Sequence, residues 1–240
     1  MRSLLDEIFL EAEAPGISPA KKSGTSSTGR VRHFFCDPTD HKKVEDHVKM
    51  SVTDGALRSA VEKGIAMALP WIYKAIAALR VSPRSAKTIT IFRQAFAQPP
   101  DWNPTWKNAT MKWVDWGDLI ATRLEKAAHI LNGGYIKFFC YGSPAHCSKC
   151  TKTPPGYYAC SSWKGNYVTC LGHSFWDDWK KGNRDSMVST LIHEALHIYF
   201  GKTVAHAGRS RNVSCYLRFI SLINNRTMPA RVKTRCPSSP

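Results

Sequence analysis

His193, Glu194 and His197 stand in Thr190-Leu191-Ile192-His193-Glu194-Ala195-Leu196-His197, the HExxH spacing. Residues four apart on a helix lie on one face, so both imidazoles can aim at a single metal ion while the carboxylate stands beside it. The chemistry such a trio performs is zinc-assisted hydrolysis. Zinc lowers the pKa of its water toward neutrality and polarises a carbonyl, and Glu194 is placed to take the water's proton and pass it to a leaving nitrogen.

The surroundings of the motif read as helix. Asp185 is a suitable N-cap, Val188, Leu191, Ile192, Ala195 and Leu196 supply an apolar face, and Gly201 is a natural stop. A catalytic zinc needs a third protein ligand and keeps its fourth position for water. Downstream of His197 there is no Asp or Glu, and His206 is the only histidine, so His206 is the expected third ligand. Cys215 is the alternative downstream, and His173 or Asp178 the alternatives upstream. The developing oxyanion needs a donor besides zinc, for which Tyr216, Arg209 and Arg211 are the candidates, Tyr216 being taken as the catalytic partner of Glu194.

Four segments together resemble a known family: the run from Tyr167 through Cys170, Gly172 and His173 to Trp176, the Thr-Leu-Ile-His-Glu helix, Gly201-Lys202-Thr203-Val204-Ala205-His206, and Asn212-Val213-Ser214-Cys215-Tyr216. Their order is similar to that of the deuterolysin and lysine-specific metallo-endopeptidase family, the aspzincins, over about the last third of the chain. The resemblance implies that His193 and His197 ligate zinc, that Glu194 is the base, and that the family's ligand aspartate falls on His206. Two departures follow. Histidine replaces that aspartate, and Ala207, Gly208 and Arg209 leave no counterpart for the tyrosine the family carries shortly after it. The chain reads as an aspzincin-like relative with a three-histidine site.

Stepping outward, the chain must supply elements that hold this helix. A helical pattern runs from Asp54 through Leu57, Val61, Ile65, Leu69, Ile72, Ile76 and Leu79, with Pro70 as a kink or break. A second helix is expected from Asp115 or Gly117 to Leu131, closed by Gly133-Gly134, and another over 213–222. Residues 136–141 and 167–171 read as short strands. The expectation is an α+β fold: an α-rich, zincin-like metallopeptidase domain with a small antiparallel sheet and a Cys-rich segment. Residues 1–30, rich in Pro, Gly, Ser, Thr and Lys, read as a flexible leader without signal-peptide character, and 31–240 as one catalytic domain.

Eight cysteines, at 36, 140, 147, 150, 160, 170, 215 and 236, point to disulfides and hence to secretion or delivery into an oxidising compartment, extracellular or periplasmic. Pairs are expected within 140–170, with Cys36 to Cys236 tying the termini. A structural zinc on Cys147-x-x-Cys150 is the competing reading. Thirty-four Lys and Arg against eighteen Asp and Glu give a formal charge of +16, which attracts polyanions. No nucleic-acid motif accompanies that charge, so no specific nucleic acid is expected as a partner. Residues 65–81 are the most apolar stretch, but Pro70, Lys74 and Arg80 interrupt it, so no membrane span is expected. Trp102, Trp106, Trp113 and Trp116 suggest a sugar or base platform beside the commoner packing role.

These readings converge on a zinc metallo-endopeptidase with one catalytic zinc ion, a secreted enzyme or bacterial toxin or effector. Its substrate would be protein or cell-wall peptide, and its further partner a cognate inhibitor or immunity protein. The alternative is a Cys-rich, basic nucleic-acid-binding protein or a SprT-like DNA-associated protease. The Cys cluster precedes HExxH here, whereas those proteases generally place a zinc ribbon after it.

Overall fold

Side-chain caps decide where most of the helices begin. The structure, a computed structural model, describes residues 31–101, 115–142, 147, 159–162, 167–200, 212–227 and 236. Strand β1 (His33–Phe35) leads into α1 (Pro38–Val48), where Asp37 accepts from the Asp40 amide at 2.8 Å and Pro38 takes the first helical position. Thr53 caps α2 (Asp54–Arg80), Ser85 caps α3 (Ala86–Phe96), and Asp115 caps α4 (Trp116–Asn132). The cap of α2 is therefore Thr53 rather than Asp54, because the threonine hydroxyl reaches the Ala56 amide while Asp54 already has helical geometry. Helix α2 runs unbroken through Pro70. Trp71, Ile72, Ala75, Ile76 and Leu79 beyond the proline are all buried, and that packing offsets a cost of about 3 kcal/mol.

After α4 come β2 (Lys137–Phe139), β3 (Ala159–Ser162), β4 (Val168–Leu171), α5 (His173–Lys180), α6 (Arg184–Phe200) and α7 (Val213–Ile223), the last capped by Asn212. The sheet order is β1-β2-β4-β3, and the sheet is mixed rather than antiparallel. β1 pairs β2 and β2 pairs β4 in parallel, and only β3 runs antiparallel, against β4. Parallel neighbours need a long crossover, and the α1 to α4 segment is the one that separates β1 from β2. Periodicity in segments as short as three or four residues carries no information about strand direction.

Helix α2 packs on α4 and α6, α4 on α6, and α7 on α3, α2 and α6. Phe92, Phe96, Phe219 and Tyr216 form the aromatic part of this α3–α7 contact. One buried apolar cluster runs from Val31 to Cys236. At the far end of α2, Arg84 donates to both carboxylate oxygens of Asp115 at 2.7 and 3.0 Å, and Arg80 reaches Asp118 and Glu125, fastening the α2–α3 turn to the start of α4. The described part of the α-rich α+β expectation is thus met, with the sheet corrected. Helices α1, α3 and α5 and strands β1 and β3 were not legible beforehand.

Among the described residues the bridges are Cys36–Cys140, Cys147–Cys170 and Cys215–Cys236; Cys160 is disulfide-bonded as well, and no described cysteine is free. Cys36 and Cys236 are therefore not partners. Cys36 follows β1 and Cys140 follows β2, so parallel pairing brings the two together, whereas Cys236 lies against α3 and α7. Cys147 is held in a disulfide, which removes it as a ligand of a structural zinc. Disulfides of this kind fit an oxidising compartment. No helix among the described residues is long and apolar enough to cross a membrane. The leader over 1–30 and three of the four clustered tryptophans lie outside the described residues, while Trp116 is buried at the start of α4.

Candidate metal centre

The helix carrying the motif is buried nearly all the way round. From Ser186 to Ile198 every side chain is buried except those of His193 and His197. Contacts with α2 and α4, with α5 and α7, and with β3 account for this coverage. Leu191 lies so close to Gly64 of α2 that a Cβ there would meet its Cδ1 at 2.5 Å, which fixes how near the two helices approach. The helix begins at Arg184, so Asp185 lies inside the first turn instead of capping it, where its charge still favours the positive end of the helix dipole. It is described as far as Phe200; Gly201 lies outside the described residues.

The two open side chains converge. His193 Nε2 and His197 Nε2 are 2.8 Å apart, with ring centroids 4.5 Å apart and planes at 70°. Two neutral imidazoles so placed share one proton between two nitrogens, one donating and one accepting. The same pair of lone pairs suits a tetrahedral cation with bonds of about 2.0–2.1 Å, for which the nitrogens would stand about 3.3 Å apart, about half an ångström wider. Glu194, next in the chain and buried, projects about 100° further round the helix. The donor set therefore fits zinc in type and in convergence.

Among the described residues no group of three or more His, Cys, Asp or Glu side chains is arranged to hold a metal ion. His206, like Arg209 and Arg211, lies outside them. Each alternative to His206 has a partner of its own. His173 meets the Tyr141 hydroxyl through Nε2 and stacks on His47, with centroids 4.0 Å apart. Asp178 accepts from Asn183 Nδ2 at 2.9 Å, and Cys215 is in a disulfide. Burial lowers the pKa of His173 from its ordinary value, His47 lowers it further, and Asp177 opposes them.

Tyr216 is fully buried on α7, and its hydroxyl receives a hydrogen bond from Arg123 Nη1 at 3.3 Å. Its ring meets Phe200 edge-on at 5.4 Å, and the Arg123 guanidinium lies 5.6 Å over that same Phe200 ring. Phe200 follows His193 and His197 along one helical stripe, seven and three residues on, so Tyr216 and Arg123 back the last turn of the motif helix. A phenol buried to this degree buttresses the helix more readily than it meets an oxyanion. Arg123 was missed from sequence. Its only signal there is a cation among the apolar positions Ile120, Leu124 and Ala127 of α4.

Comparison of the chain with protein-family models, with curated proteins and with solved structures finds no match in any of the three. The class that the fold and site define is accordingly a coarse one: an α-rich α+β domain, stapled by disulfides, presenting a convergent pair of histidines on an otherwise buried helix. Function has to be argued from that pair.

Proposed function

We propose that this chain is a zinc metallo-endopeptidase acting outside the cytoplasm that makes it, as a secreted enzyme or toxin-like effector. The observation that carries the reading is the convergence of His193 and His197, the only side chains between Ser186 and Ile198 that are not buried. A stretch of helix this enclosed has no structural need of two half-buried imidazoles one turn apart. His193 and His197 would hold the ion, with His206 as third ligand. Bound there, zinc supplies Lewis acidity toward a carbonyl and acidifies a water. Glu194 takes the proton from the attacking water at its carboxylate and returns it to the departing amide nitrogen.

The sheet supports an extended peptide as substrate. β3 is the outermost strand, pairs on one side only among the described residues, and packs on the motif helix. Its outer edge offers main-chain donors and acceptors to which an extended chain can add as a further strand. The same backbone amide is presented by a protein and by a cell-wall peptide, so either class fits.

Metal analysis with a peptide-hydrolysis assay tests the reading. Glu194→Gln should keep one zinc per chain and lose hydrolysis, whereas His193→Ala and His206→Ala should lose the zinc. Wild-type protein that binds no zinc, or a His193→Ala, His197→Ala variant that keeps it, would overturn the assignment.

A further inference from the structure

The strands carry no carboxylate, and their outer face is lined with rings. No Asp or Glu occurs between Glu125 and Asp177, the stretch that supplies β2, β3 and β4, and β1 has none either. Alternation along the strands turns Phe34 and Phe138 toward the helices and His33, Phe35, Lys137 and Phe139 to the opposite side. In register, His33 stands beside Lys137 and Phe35 beside Phe139. Cys147, bridged to Cys170, covers the β4 part of this face, while the β1–β2 part stays open: Phe35 is 43% exposed, and His33 and Lys137 are exposed as well.

The rings are placed to stack flat groups. His33 and Phe35 lie within 4° of parallel with centroids 6.5 Å apart, so successive same-face positions of β1 carry similarly oriented rings. Phe139 stacks beside Phe35 at 5.1 Å. Where β2 and β4 begin, Tyr135 and Tyr167, 51% and 40% exposed, form a second ring pair with centroids 6.4 Å apart. Arg32 lies over Gly134, where an added Cβ would stand 3.0 Å from its Cδ, and so brings a cation beside Tyr135. Large exposed rings cost solvation, and a face that combines them with cations and excludes acids is suited to a ligand with flat rings and a negative backbone.

We propose that the open β1–β2 face binds single-stranded nucleic acid without sequence preference. Bases stack at His33–Phe35 and on Tyr135 and Tyr167, and phosphates meet Lys137 and Arg32. An anionic lipid surface would use the cations but has no use for similarly oriented flat rings, and the rings decide between the two. This site is separate from the histidine pair and does not depend on the peptidase reading.

Fluorescence anisotropy with the full chain and a short labelled oligothymidylate tests it. The wild type should bind with an affinity that falls as salt rises. Phe35→Ala should bind about tenfold more weakly, since stacking on one ring is worth about 1–3 kcal/mol per base, and Phe35→Tyr should restore binding. Lys137→Glu should weaken binding and flatten the slope against log salt by about 0.7 per lost phosphate contact. Lys181→Glu, exposed after α5 and no part of the face, should change little. The proposal fails if Phe35→Ala binds like wild type, if Lys181→Glu weakens binding as much as Lys137→Glu, or if the oligonucleotide does not bind while anionic vesicles do.

Discussion

Three bridges join described cysteines, and they close loops of unlike length, a difference that is measurable. Cys36–Cys140 spans 104 residues, Cys147–Cys170 spans 23 and Cys215–Cys236 spans 21. If a disulfide stabilises by removing loop-closure entropy from the unfolded chain, these spans correspond to about 4.8, 3.4 and 3.3 kcal/mol at 25 °C. The total stability of a domain is about 5–15 kcal/mol, so the long bridge alone carries a third or more of a typical value. The test pairs Cys36→Ala, Cys140→Ala with Cys215→Ala, Cys236→Ala in urea unfolding under nonreducing conditions. With a slope of about 2 kcal/mol per molar urea, midpoints should fall by about 2.4 M and 1.7 M. Cys140, Cys215 and Cys236 are all buried, so the cost of the small cavities is similar in the two variants and the expected difference of about 1.4 kcal/mol survives. Equal midpoint shifts, or a long-bridge variant within about 1 kcal/mol of wild type, would refute the entropic account.

Two further substitutions probe packing and titration. Gly64→Ala gains about 1 kcal/mol in helix propensity, but the new methyl overlaps the buried Leu191 at a cost of about 1–3 kcal/mol, so urea unfolding should show a net loss of up to about 2 kcal/mol. A rise in stability would show that α2 and α6 are less tightly apposed. His173 has its folded pKa held below the ordinary value, chiefly by burial and then by His47, so the unfolded chain binds more protons in that window and stability rises with pH there. Stability should be complete above about pH 6.5 and decline as the pH falls through the lowered value. Thermal melts between about pH 8 and pH 5 should show this decline, and His173→Gln should flatten it. The groups facing His173 are His47, Asp177 and Tyr141, with Lys43 over the tyrosine ring. A wild-type profile already flat over that range would mean that the stacked rings carry no charge penalty.

What the sequence made legible is what local rules determine. Helix α4 begins at its capping Asp115, α7 begins at Val213 as expected, and the HExxH helix contains the motif in its interior, because caps and apolar periodicity act within one or two turns. Helix α1 was hidden because its content is polar: His41, Lys42, Lys43, Glu45 and Asp46 leave only Val44 and Val48 as apolar buried positions. Helix α5 was hidden inside a run that reads as strand followed by motif lead-in. Strand direction and disulfide partners depend on which elements meet in space, and nothing in the spacing of Cys36 and Cys140 announces that β1 and β2 lie side by side.

The histidine pair shows where the two kinds of information join. Spacing alone puts His193 and His197 on one face of a helix, but it does not say whether that face is open. Periodicity supplied one apolar face, whereas α6 is enclosed by α2, α4, α5, α7 and β3. That enclosure strengthens the functional argument. On an exposed helical face two histidines would be ordinary solvated residues, and in a closed interior they would each need a fixed partner. Here they are the two half-buried side chains between Ser186 and Ile198, with nitrogens turned toward each other at 2.8 Å, a geometry in which both lone pairs can be directed at one cation.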